Sequence, residues 1–186
     1  MPSGMVPFST RERSLDKNDF VCFYEHDINF REILTNTEEY VEELRQYPGI
    51  ITPDCSLYID APLCVQIADI YLNRAVGHYL QKQGLYVIPN IRWGDERTYK
   101  EDFLGEKVAF QGIEKHSIVS IGTYGQIRTA ESKRFFKEGL EEMMKELEPQ
   151  VVLVYGAMPD KLFSEVKDLA TFIQYLDWMT RMKRAQ

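Results

Sequence analysis

At 186 residues, with 44% hydrophobic and 27% charged residues, the chain fits one ordinary domain with a sizeable core. A formal net charge of −7 argues against a surface built to neutralise duplex DNA, and no apolar run approaches the roughly 20 residues that span a bilayer. The start of the chain lacks a signal peptide's apolar core, and three cysteines, Cys22, Cys55 and Cys64, show no CxxC spacing. Both features point to free, buried thiols in a reducing cytoplasm. His26, His78 and His116 are too scattered for paired ligand spacing, so no closed structural zinc site is expected, and no motif specifies a cofactor.

Residues 1–19 mix Pro, Gly, Ser and charges without periodicity, which predicts a flexible arm ahead of a single α/β domain over 20–186. That domain opens with the apolar "FVCFYEHD". A short helix is expected over 35–47, with acids in its first turn and Pro48-Gly49 as its stop. "GIITPDCSLYID" reads as a strand leading into polar residues. The long segment that follows places Ile67, Tyr71, Ala75 and Tyr79 on one helical stripe and closes at Gly84. Arg74 and His78, one turn apart there, read as a solvated edge.

"LYVIPNIRW" and "SIVSIGTYG" read as strands separated by an irregular polar excursion through Phe103, Gly105 and Gly112. "SKRFFKEGLEEMMKELEP" gives the clearest amphipathic helix, with Phe135, Phe136, Leu140, Met143, Met144 and Leu147 on one face. Strands at "QVVLVYGAMPD" and "ATFIQYLDW" flank a short helix, and the basic tail "MTRMKRAQ" is expected to fray. About six strands with little two-residue alternation imply a mostly parallel sheet flanked by helices. The expected architecture is a reduced or incomplete TIM-like barrel, the alternative being an open doubly wound sheet.

Both architectures place ligands at the carboxyl ends of the strands. The acids Asp54, Asp60 and Asp95 are therefore candidates for acid–base work, competing with turn and helix-cap roles. His26, between Glu25 and Asp27, is a candidate proton carrier competing with an exposed strand-end histidine. Ser56, Asn90, Arg92, Thr123 and Tyr155 are candidate ligand contacts. Trp93 reads equally as a stacking wall and as a plug in the core. "IGTYGQ" lacks both the P-loop lysine and the Rossmann glycine spacing.

The motifs at Pro53, Asp54 and Ser56, at Pro89 and Trp93, and at Tyr155 and Gly156 resemble a family of bacteria, phages and mobile elements catalogued as domain of unknown function 4417. The resemblance covers the chain from about Asp19 onward and implies a cytoplasmic, mobile-element setting, with no catalytic role attached to any residue. The family pattern has a serine where this chain has Gly122. The leading expectation is a domain that binds a small polar or anionic ligand, such as a nucleotide or nucleic-acid end, at the strand-end rim. A carboxylate-dependent, metal-assisted hydrolase and a non-catalytic factor acting on a host or phage protein are the alternatives.

Overall fold

The computed structural model describes residues 1–100 and 107–185. Phe103 and Gly105 of the polar excursion lie outside the described residues. Seven strands form among them: β1 (Met5–Pro7), β2 (Phe20–Cys22), β3 (Ile50–Ile51), β4 (Val87–Ile88), β5 (Ile118–Gly122), β6 (Val151–Tyr155) and β7 (Thr171–Tyr175). They pair in parallel and in chain order, as a four-stranded sheet β1-β2-β3-β4 and a three-stranded sheet β5-β6-β7. A parallel bridge from Asn90 to Ser120 joins the two sheets. A doubly wound sheet reverses its strand order at a switch point, and this order does not reverse.

Alternate residues of the strands face two different cores, as the two-residue repeat of a strand requires. Met5, Cys22, Ile51, Ile88, Leu153 and Tyr175 belong to one buried cluster drawn from both sheets. Their neighbours Val6, Val21, Ile50 and Val87 pack in a second cluster with helical residues, and Val119, Ile121, Val152 and Val154 in a third. The sheets therefore curve around a shared interior as an incomplete barrel. No ladder joins β7 to β1 among the described residues. Tyr175 Oη donates to the carbonyl of Pro2 at 3.1 Å across that open edge.

Residues expected to form a flexible arm instead supply β1, paired with β2 from Met5 to Pro7, and a 3-10 helix at Phe8–Arg13. Met5, Val6 and Phe8 are buried. At roughly 25 cal/mol per Å² of apolar surface, burying such side chains offsets the entropy of ordering the segment. The sequence conceals this because three strand residues are too few to show a period. The basic tail is likewise a helix, α6 (Trp178–Ala185), anchored by the buried Trp178.

The helix at 35–47 is a 3-10 turn, Thr37–Tyr40, running into α1 (Val41–Leu44). The long helix α2 (Leu63–Lys82) forms as expected, but a different face is buried. Gln66, Ile70, Asn73, Gly77 and Leu80 point inward, while Tyr71 of the expected stripe is 68% exposed. The buried amide of Asn73 explains the rotation. Its Nδ2 donates to the carbonyls of Pro53 and Asn90, and its Oδ1 accepts from Thr52 Oγ1 at 3.0 Å. Arg74, expected at a solvated edge, is instead drawn in. Its guanidinium donates to the carbonyls of Ala109 and Gln111 at 2.9 Å and to that of Asn90 at 3.1 Å. With no carboxylate among these acceptors, burial pushes its pKa down to about 10.

The helices α3 (Glu96–Tyr99), α4 (Ala130–Leu147) and α5 (Asp160–Phe163) complete the described α-helices. A capping box between Thr129 and Ser132 starts α4, satisfying amide groups that have no partner inside the helix. The helix buries the expected Phe135, Phe136, Leu140, Met143, Met144 and Leu147, and ends where Glu148 turns left-handed before Pro149. Cys22 and Cys55 are buried thiols as expected, but Cys64 on the outer side of α2 is exposed. Burial pushes the Cys55 thiol up to about 12. No helix among the described residues is long and apolar enough to cross a membrane.

Candidate functional site

The segments leaving the strands bound one cleft of about 430 Å³. Its floor is a chain of hydrogen bonds between strand exits. Tyr24, just past β2, donates from Oη to Asn90 Oδ1 at 3.0 Å and shares a 2.6 Å hydrogen bond with Ser120 Oγ of β5. Asn90 Nδ2 donates to Asp54 Oδ1 at 2.7 Å, and the other Asp54 oxygen accepts from Arg92 at 2.5 Å. Burial pushes the Asp54 carboxyl above its ordinary value, while the Arg92 guanidinium and then the Asn90 amide pull it back. A buried carboxylate needs such partners, because isolation from water would otherwise cost several kcal/mol, roughly speaking.

The walls are aromatic. Tyr24 stacks on Tyr155 with ring centroids 4.7 Å apart and 17° between planes, and Tyr124 meets Tyr155 edge-on at 6.3 Å. Tyr155 is fixed by accepting a 2.7 Å hydrogen bond from the Trp178 amide. Gly122 is required beside this wall, since a Cβ there would fall 2.6 Å from the Tyr24 ring. A serine at this position would require Tyr24 to move. Gly156, at φ 110°, turns the chain after β6 in a conformation that favours glycine. At the mouth, Tyr58 and Tyr124 are 66% and 50% exposed.

Five expected residues line this cleft: His26, Asp54, Ser56, Arg92 and Tyr155. Asn90 lies beneath it as the link between Tyr24 and Asp54. Ser56 is held through its amide and hydroxyl by the Asp27 carboxylate at 3.0 and 2.7 Å, tying the segment after β3 to that after β2. Thr123 is not a contact: its hydroxyl donates to the Ala157 carbonyl at 2.7 Å, pinning β5 to the turn after β6. Trp93 is the core plug, its Nε1 donating to the Phe135 carbonyl at 3.0 Å. An adjoining cavity of about 280 Å³ shares Tyr58, Arg92, Gly125 and Gln126 with the cleft and reaches Trp93 from the side.

The three acids do not converge. Asp60 lies exposed in the turn before α2 and makes no cap to that helix. Asp95 is the N-cap of α3, accepting from the Arg97 amide at 3.1 Å, the Arg97 guanidinium and Gln66 Nε2. Among the described residues no group of three or more His, Cys, Asp or Glu side chains is arranged to hold a metal ion. Sequence reasoning missed Tyr24 and Arg128 and the loop with Ser9 and Thr10, all of which line the cleft. The available signal for Tyr24 is its position beside Glu25 at a strand exit.

Hydrogen bonding and ion pairing with Arg97 hold the Asp95 carboxyl below its ordinary value. The associated stabilisation is therefore present above the ordinary carboxyl pKa of 3.8 and is lost as pH falls through the lower folded value. Asp95→Ala is expected to cost about 1–2 kcal/mol at pH 7 in urea unfolding, and the difference from the parent should shrink below pH 4 or so. A pH-independent difference would show that the carboxylate's charge has no part in the cap.

A second cavity of about 510 Å³ lies beside Arg74, His78, Gly112 and Ser117, at the junction of α2 with β4 and β5. It is larger, but its cation is already spent on backbone carbonyls. In the rim cleft, by contrast, polar groups from the exits of several strands meet.

The chain is 29% identical over 153 residues to the Gene 1 protein of Mycobacterium phage L5, covering 81% of this chain and 64% of that protein. It is 28% identical over 177 residues to the Gene 1 protein of Mycobacterium phage D29, covering 94% and 61% respectively. The chain thus spans less than two thirds of the length of these relatives. No solved structure matches it. A family model described as "Domain of unknown function (DUF4417)" matches residues 1–176, and the chain belongs to that family.

Proposed function

We propose that the rim cleft binds a small polar ligand of the nucleotide or nucleic-acid-end class. The observation that carries this reading is the Tyr24–Asn90–Asp54–Arg92 network at the floor of a cleft of about 430 Å³. That volume suits a ligand of nucleotide size, and an apolar wall with a few convergent polar groups is the usual form of such a site. A buried ion pair contributes little net stability against a well-packed apolar alternative, so packing alone gives no reason for Asp54 and Arg92 to meet there. The chain's acidic balance favours a small ligand over duplex DNA.

Calorimetric titration with nucleoside 5′-monophosphates and a 5′-phosphorylated dinucleotide tests the reading. Saturable binding is expected, weakened about tenfold by Arg92→Lys, which keeps the charge and loses the planar fork. Unchanged thermal unfolding of the variant would separate a lost contact from a lost fold. Absence of binding by any of these probes to the parent chain would overturn the reading.

A second reading rests on Asp54, a buried cleft carboxyl that burial pushes above its ordinary value and that is placed for acid–base work on a bound substrate. Turnover of a phosphodiester or glycosidic substrate, abolished by Asp54→Asn, would replace simple binding with hydrolysis.

A further inference from the structure

We propose that the cleft's ligand is a planar base of guanine type, stacked on the tyrosine wall and read along its edge by Asp54 and Arg92. This rests on the rim cleft being a binding site and adds the chemical class of what it takes. The first observation is the aromatic wall, in which the buried Tyr24 and Tyr155 stack on each other and support Tyr124, which meets Tyr155 edge-on and is half exposed at the mouth. Tyr58 faces the same cleft from the segment after β3, and it and Tyr124 keep large ring surfaces in water. Single exposed aromatics are ordinary, but two from separate loops bordering one cleft form a stacking surface for a flat ring.

The second observation is the hydrogen-bonding pattern on the floor. Asp54 accepts one hydrogen bond on each oxygen from within the protein, and an ionised carboxylate has about four acceptor positions. It therefore retains acceptor capacity on both oxygens. Arg92 lines the cleft and spends only one of its five N–H groups on Asp54, which leaves guanidinium donors beyond its buried Nε for a ligand. Adjacent acceptors and donors complement a guanine edge, in which two neighbouring N–H groups lie beside a carbonyl oxygen. Adenine presents a bare ring nitrogen where guanine presents an N–H, setting a lone pair against the carboxylate.

Charge limits the remainder of the ligand. Glu25, Asp54 and Asp177 line the cleft against Arg92 and Arg128, three acids to two guanidiniums. Arg92 is already paired, which leaves Arg128 at the mouth for a single phosphate. A triphosphate would meet net repulsion, so the class is a guanine nucleoside, its monophosphate, or an unpaired guanine at a nucleic-acid end.

Calorimetry of the full chain with guanosine, inosine, adenosine, cytidine and the guanosine mono- and triphosphates tests this. Guanosine and its monophosphate should bind best, inosine about tenfold or more weaker for want of one N–H to a charged acceptor, and adenosine weaker still. The triphosphate should bind no tighter than the monophosphate. Tyr124→Ala, at an exposed position, should lower guanosine affinity by roughly ten- to a hundredfold with the fold intact. Equal binding of adenosine and guanosine, or indifference to Tyr124→Ala, would overturn the proposal. If every 5′-phosphate bound alike and Arg92→Lys still weakened it, the base assignment would fail and the rim site would stand. No binding by any probe would remove both.

Discussion

Trp93→Ala should destabilise the protein by about 3–5 kcal/mol, the usual range for truncating a large buried aromatic. Trp93 is 7% exposed, and its ring lies 5.5 Å from that of Phe136. The fit against α4 is close enough that a Cβ added at Gly139 would fall 2.2 Å from the indole nitrogen. Truncation would also remove the 3.0 Å indole hydrogen bond to the Phe135 carbonyl, a loss of about 0.5–1.5 kcal/mol because that mid-helix carbonyl keeps its own intrahelical donor. The expected result is a large fall in the denaturant midpoint. Any change in ligand affinity should be confined to the edge that borders the adjoining cavity. A stability loss under about 1 kcal/mol, together with abolished binding, would return Trp93 to the role of a ligand wall.

The second large effect is expected at the open edge of the barrel. Asp19 is fully buried, and its Oδ2 accepts from Arg181 at 2.8 Å and from Ser14 Oγ at 2.9 Å. Arg181 comes from α6 and lies over Gly4, where a Cβ would fall 2.4 Å from its guanidinium. No ladder joins β7 to β1 among the described residues, so the chain's two ends are tied across the gap by this ion pair, the Tyr175 bond to Pro2 and the packing of Trp178 with Val6 and Phe8. Arg181→Met leaves a buried carboxylate without its cation and should cost about 3–5 kcal/mol in urea unfolding. Adding Asp19→Asn should restore a large part of that loss, because the pair as a whole contributes little while either charge alone is costly. Additive losses in the double variant would show that the two side chains act independently.

How legible the fold was depends on the length of each element. The helix α4 is long enough to show a period, and the five-residue strands β5, β6 and β7 stand out as apolar runs with clear stops. β1, β3 and β4 hold two or three residues each, and a period cannot be read from so few. The face of α2 was misread for a different reason. Apolar residues occur on most sides of that helix, and the buried side is marked by Gln66 and Asn73, whose amides satisfy loop carbonyls and Asp95. Periodicity treats such residues as surface, whereas they are the anchors that hold the exits of β3 and β4.

The rule that ligands sit at strand exits selects Asp54, Arg92 and Tyr155, which do border the cleft. It also selects Asp95 and Thr123, which the chain spends on a helix cap and a turn. Strand-end acids look alike in sequence, and only the path of the following loop separates a cap from a cleft wall. Tyr24 was passed over because its role depends on Gly122, 98 positions away in the chain, giving its ring room.

The proposed ligand site is the rim cleft and not the larger cavity beside Arg74. Amide NMR spectra of the full chain titrated with guanosine monophosphate test it directly. Saturating shifts are expected at Glu25, Arg92, Tyr124, Gly125 and Trp178, with resonances of Arg74, His78, Gly112 and Ser117 unmoved. Shifts confined to the second group, or no shifts at any concentration, would contradict the claim.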